Sequence, residues 1–115
     1  MKRNPGLFLN DIVSAIESIE EFIGELTLEE LMKDDKTSSA VIRKFEIIGE
    51  ASKHVPESIK SRHKEIPWKA MSGMRDRLIH AYFGIDYNLV WKAVKIEIPK
   101  LNPKLKKALA KMEKE

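Results

Sequence analysis

The sequence predicts an all-α protein, an up-and-down bundle of four to five helices. Apolar residues recur at helical spacing through most of the 115 residues, and no stretch alternates with the two-residue period of a half-buried strand. Residues that cap or stop helices, Thr27, Pro56, Gly84 and Asp86 among them, fall between the periodic runs. Five glycines and five prolines are too few for an all-β or disordered chain.

The first helix is expected from about Leu7 to Gly24, with Ile12, Ile16, Ile19 and Ile23 on one side and glutamates on the other. Thr27 can cap a short turn, LEELMKD. A second long helix, SSAVIRKFEIIGEASKHV, follows an N-cap at Thr37 or Ser38 and stops before Pro56. Val41, Phe45, Ile48, Ser52 and Val55 share its inner face. Gly49 lies beside them at an interior cost of about 1 kcal/mol against alanine, which a close helix crossing would explain. PESIKSRHKEIP reads as a short helical piece and a loop, and Pro67 suits the first turn of a third helix. That helix should run to Phe83-Gly84, with the glycine as a left-handed C-cap. Asp86 caps a fourth, YNLVWKAVKIEI, whose Leu89, Val90, Ala93, Val94 and Ile98 face inward. Pro99 and then Asn102-Pro103 mark a kink or break before a basic terminal helix, KLKKALAKMEKE. No internal repeat or linker divides the chain, so residues 1–115 form one domain.

A hydrophobic fraction of 43% suffices for one modest core. With no cysteine, disulfides and thiolate metal sites are excluded. The opening MKRNPGLFLNDIVSAIESIEEF lacks the apolar run of a signal peptide, and no run approaches the ~18 residues that span a bilayer. A soluble, cytoplasmic protein is expected. The net charge of +3 hides an asymmetry. Residues 17 to 35 carry eight acids against Lys33 alone, whereas Lys53 to Arg77 holds seven Lys or Arg against Glu57, Glu65 and Asp76. The tail from Lys100 adds six lysines against two glutamates. A basic middle region attracts a polyanion such as RNA; the tail alone reads as a solvated helix end.

The third helix carries MRDRLIHAYFGID. On a continuous helix, Met71, Met74, Leu78, Ile79, Ala81 and Tyr82 form one apolar arc with Arg75 near its middle, where an unpaired guanidinium would be heavily penalised. Asp76 and His80 are four apart, so the carboxylate could hold the imidazole's tautomer. Tyr82, two turns on, shares the arginine's face. Arg75 and His80, five apart, point about 140° away from each other, and two antiparallel copies would converge them better than one, which implies a symmetric dimer with a composite cleft. An arginine beside a histidine on a basic surface suits chemistry on a phosphodiester, the one neutralising charge and the other moving a proton. Arg77 and Lys69 are candidates for further RNA contacts. Glu50 and His54 lie one turn apart without a second such set, so no metal site is expected. The structural alternatives are an Arg75 paired internally to Glu46 or Glu50, a His80 merely suited to a helix end, and Tyr82, Phe83, Trp68 and Trp91 serving the core or an interface.

The run Arg75, four residues, His80, one residue, Tyr82 resembles the signature of the HepT-type toxins of the HEPN domain, small bacterial and archaeal ribonucleases. Asp76 stands where that family usually has asparagine. AVIRKFEIIGEASKHVPE, EIPWKAMSGMRDRLIHAYFGID and VWKAVKIEIPKL resemble the family's second, third and fourth helices in order and spacing, so the likeness runs from about Leu7 to Leu101. It implies a homodimer whose two motifs face each other across one RNA-binding cleft. It also implies a metal-independent endoribonuclease, without cofactor, acting by 2′-hydroxyl attack. Arg75 would hold the scissile phosphate, His80 would act as general acid–base, and Asp76 would orient or polarise the site. The implied partner is a minimal nucleotidyltransferase antitoxin of the MntA type, which transfers AMP from ATP to the motif tyrosine, here Tyr82. Two alternatives remain: a non-catalytic helical dimer that binds the nucleotidyltransferase or a nucleotide, and a structural bundle in which Arg75 closes an internal salt bridge.

Overall fold

The computed structural model describes residues 4–80 and 84–114. The first helix, α1 (Pro5–Ile23), begins where Asn4 accepts the Gly6 N–H at 2.8 Å and Pro5 occupies the first turn. Its buried stripe includes Leu9, Ile12, Ile16, Ile19 and Ile23. Gly24, at φ +47°, turns the chain away. A reciprocal capping box between Thr27 and Glu30 opens α2 (Leu28–Lys33). The next helix, α3 (Asp35–His54), starts earlier than its sequence suggests. Its cap is Asp34, whose carboxylate accepts from the Thr37 N–H at 2.9 Å and the Thr37 hydroxyl at 2.7 Å. Ser38 is buried instead, its hydroxyl donating to the Leu31 carbonyl at 2.8 Å and so tying α3 to α2. Val41, Phe45, Ile48, Ser52 and Val55 are buried as expected.

After Pro56 comes the short α4 (Glu57–Arg62), and beyond it the expected third helix is two pieces, α5 (Trp68–Ser72) and α6 (Met74–Leu78), broken at Gly73. Nor does it reach Phe83-Gly84. Ile79 is extended, at φ −124° and ψ 128°, and forms an isolated antiparallel bridge with Ile85. The Asp86 N–H donates to the Leu78 carbonyl at 2.8 Å and the His80 N–H to the Gly84 carbonyl at 2.9 Å. These cross-chain bonds take the place of the next helical turn. Gly84, at φ +114°, serves the returning strand rather than a helix cap.

Asp86 caps α7 (Tyr87–Lys92), its carboxylate accepting the Leu89 N–H at 3.1 Å. The chain then passes without a break through a π turn (Ala93–Glu97) into α8 (Ile98–Lys114). The break expected at Pro99 and Asn102-Pro103 is therefore absent, and the helix runs through both prolines. The wide turn, closed by the Ile98 N–H on the Ala93 carbonyl, directly precedes Pro99, whose missing donor would otherwise interrupt the ladder. Buried Ile98, Leu101, Leu105 and Ala108 hold α8 on both sides of Pro103, and α8 packs on α1. Val90, Ala93, Val94 and Ile98 face inward as expected; Leu89 does not and is exposed.

The result is an all-α bundle in which α1 packs along α3, α8 covers α1, and α5 and α6 lie across α3. That crossing is close because Gly49 has no side chain: a Cβ there would stand 3.2 Å from the Ser72 carbonyl oxygen and 3.4 Å from that of Met71. Trp68 is buried, its indole N–H donating to the His63 carbonyl at 3.1 Å; Trp91 is half-buried beneath Lys95. Among the described residues, no helix is long and apolar enough to cross a membrane.

Candidate active site

Breaking the third helix at Gly73 and ending it at Leu78 changes where Arg75, Asp76 and His80 point. Arg75 belongs to a five-residue helix at the surface and its side chain is 46% exposed. The described members of the expected arc, Met71, Met74, Leu78 and Ile79, do not lie on one continuous helix, and the guanidinium is not buried. Met71, Met74 and Leu78 face the core while Arg75 stands clear of it.

Arg75 lines a pocket of about 260 Å³ between α3 and α6, together with Arg43, Lys53, Glu46, Glu50 and Asp76. The ion pair it makes is with its neighbour Asp76, at 3.6 Å, on a carboxylate that is itself largely exposed. Glu50 pairs with Lys53 and His54, each at 3.8 Å. Such exposed pairs are weak, so a polyanion can compete for the arginine.

His80 lies past the helix end, so the divergence of about 140° from Arg75 expected on one helix does not apply. The pairing expected between Asp76 and His80 is not formed either, because it required Asp76 and His80 to occupy successive turns of the same helix. His80 meets Asp86 instead, with Nε2 to Oδ2 at 3.4 Å. The Leu89 N–H, and after it the His80 ring, hold the Asp86 carboxyl below the ordinary carboxylate range. An imidazole held through one nitrogen presents the other to solvent, which is the arrangement a proton-transfer group needs.

Arg77 pairs with Glu97 of the π turn at 3.5 Å, on the side of α6 toward α8. Lys69 lies apart from Arg75, in an open groove of about 630 Å³ that it shares with Lys60 and Lys64 of the α4 region. Ser72 lines both that groove and the Arg75 pocket, so the two adjoin. Tyr82 falls outside the described residues. Among the described residues, no three His, Asp or Glu side chains gather where they could hold a metal ion.

The family model for "Ribonuclease HepT-like" matches residues 12–108, a span that holds the whole motif and all of the bundle but the first turns of α1 and the end of α8. The chain belongs to the HepT-like ribonuclease family. It is 54% identical over 107 residues to "Probable ribonuclease HepT" of Thermococcus cleftensis, covering 93% of this chain and 97% of that one. It is 41% identical over 112 residues to a "Putative RNase" of Methanocaldococcus jannaschii, covering 97% of each, and 38% identical over 109 residues to another of Caldanaerobacter subterraneus subsp. tengcongensis, covering 95% and 97%. No solved structure matches it significantly. For this HepT-like chain, sequence reasoning read Asp86 only as a helix cap. The six-residue gap from His80 suggests no contact on any helix; only the Ile79–Ile85 bridge brings the two together.

Proposed function

We propose that this chain is the toxin of a toxin–antitoxin pair, an endoribonuclease that cleaves RNA by attack of a ribose 2′-hydroxyl on the adjacent phosphodiester. The observation that carries this reading is the exposed Arg75, whose ion pair is to an exposed acid on its own turn, in a family named for ribonucleases. A guanidinium so placed can exchange Asp76 for a phosphate and neutralise the charge that grows on it in the transition state. His80 takes the proton of the 2′-hydroxyl as the O2′–P bond forms. The P–O5′ bond then breaks and the departing oxygen takes up a proton from solvent, leaving a 2′,3′-cyclic phosphate and a 5′-hydroxyl. Asp76 keeps Arg75 extended along the surface until RNA arrives.

The groove of Lys60, Lys64 and Lys69 adjoins the Arg75 pocket and suits the flanking RNA backbone. Arg77, paired with Glu97 through a surface bridge as weak as that of Arg75, can release it for a further contact to the RNA backbone. The working unit is a homodimer with the two motifs across one cleft. The partner is a minimal nucleotidyltransferase that adds AMP to Tyr82; the adenylate phosphate would compete for Arg75 and exclude RNA.

The test is RNA cleavage by purified protein shown by mass spectrometry to carry no adenylate on Tyr82, with His80→Ala as control. Cleavage lost in the variant supports the reading. Unmodified protein that leaves a broad RNA pool intact would overturn it in favour of a non-catalytic dimer that binds the nucleotidyltransferase.

A further inference from the structure

We infer that Asp86 is the positioning residue for His80, and that the cap it forms on α7 is what fixes its carboxylate for that purpose. The inference rests on the proposed role of His80 in cleavage. Backbone and side-chain bonds hold Asp86 in place. Its backbone N–H donates to the Leu78 carbonyl at 2.8 Å, which anchors it to the end of the helix carrying Arg75. Its Oδ1 accepts the Leu89 N–H at 3.1 Å, which sets the side-chain rotamer. Its Oδ2 is thereby aimed at His80 Nε2, 3.4 Å away. On the other side, the His80 backbone N–H is bonded to the Gly84 carbonyl at 2.9 Å, so donor and acceptor sit on two facing segments rather than on one flexible loop.

Among the described residues, Asp86 is the acid that pairs with the ring: the acid beside Arg75 is engaged with that arginine, and Arg77 with Glu97. A carboxylate accepts and cannot donate, so His80 must present Nε2–H to it. Nδ1 is then the unprotonated nitrogen, facing away from Asp86 and free to accept a proton from substrate. This is the logic by which a buried aspartate fixes the tautomer of a catalytic histidine in other hydrolases, achieved here by a helix-capping residue.

Asp86→Asn separates the two jobs. Asparagine caps helices as well as aspartate, and the Leu89 N–H claims its amide oxygen. The amide NH2 is then turned toward His80, which must accept through Nε2 and carry its proton on Nδ1. Nitrogen-15 spectra of the imidazole at mildly alkaline pH, assigned with His80→Gln, should show Nε2–H in the native protein and Nδ1–H in Asp86→Asn. The cap is kept, so the melting temperature should fall only slightly, by what the lost charge contributes. RNA cleavage should fall about 10²-fold in kcat with little change in KM. Asp86→Ser, which keeps a cap but is too short to reach the ring, should show a mixture of tautomers and an intermediate kcat. A native tautomer retained in Asp86→Asn would overturn the inference whether or not the protein cleaves RNA. Cleavage that survives His80→Ala would overturn the proposed role of His80 and leave the tautomer result to decide the inference alone.

Discussion

Gly49 and Ser72 meet backbone to backbone: the Ser72 carbonyl oxygen lies 3.2 Å from where a Cβ of residue 49 would stand. This contact sets how deeply α5, and through Gly73 the Arg75-bearing α6, can sit on α3. A side chain with γ-carbons must push that backbone away. Gly49→Val should destabilise the fold by about 1–3 kcal/mol in urea titrations and weaken RNA cleavage beyond what stability explains. Gly49→Ala should be near neutral, because a helix-propensity gain of about 1 kcal/mol offsets a shift of a few tenths of an ångström.

Arg75→Ala should separate function from stability. The side chain is half-exposed and its partner is exposed, so unfolding free energy should change by less than about 0.5 kcal/mol. Cleavage should fall by about 10²–10³-fold, the effect of losing a group that neutralises developing charge. Loss of stability comparable to a core substitution would show that Arg75 serves the fold.

Asp76→Asn should tighten RNA binding. It removes a negative charge 3.6 Å from the Arg75 guanidinium, at an exposed site where such a pair contributes up to about 1 kcal/mol, or a two- to fivefold change in Kd. Fluorescence anisotropy with a short RNA that carries 2′-deoxy substitutions measures it without turnover. Weaker binding would show that the acid organises the arginine more than it competes with the phosphate.

Lys60, Lys64 and Lys69 line one groove beside the Arg75 pocket. If each neutralises a phosphate, replacing all three by alanine should lower the slope of log Kd against log salt by about 2, at roughly 0.7 per contact for a single strand. An unchanged slope would direct the RNA path elsewhere.

Acid should destabilise the protein through its helix caps. The Thr37 hydroxyl and then the Thr37 N–H hold the Asp34 carboxyl below its ordinary range; the Leu89 N–H and then His80 do the same for Asp86. A carboxyl lowered in the folded state contributes stability that is present above its unfolded value, about 3.9, and lost as pH falls through the folded one. Urea midpoints should therefore drop below about pH 4. Asp34→Asn, which keeps a neutral cap, should make that drop shallower.

The long helices were legible because one apolar stripe on each is nearly uninterrupted: α1 through Ile12, Ile16, Ile19 and Ile23, α3 through Val41, Phe45 and Ile48. Gly49 also announced its crossing, since a glycine inside a helix asks for a reason. The candidate site was legible as a set of residues and misread as a geometry. Helical periodicity continues through Gly73 and past Leu78, so a wheel carries Arg75 into the arc and sets Asp76 beside His80. What ends the helix is non-local: the Leu78 and Gly84 carbonyls find donors across the loop, a competition that spacing cannot register. The same limit hid the unbroken α7–α8 rod, because tertiary burial on both sides of Pro103 outweighs one missing donor.

The π turn at Ala93–Glu97 amounts to one residue more than a plain α-helix would hold over the same path. Removing that extra residue would restore an ordinary ladder with α7 and α8 in nearly the same relative phase, whereas removing one from the regular turns of α7 or α8 would turn α7 by about 100° relative to α8. Asp86 would swing with it, away from the imidazole it faces. The π turn should therefore absorb a one-residue deletion that the regular turns on either side of it would not, so that the phase between α7 and α8, more than the chemistry of this stretch, is what selection must preserve.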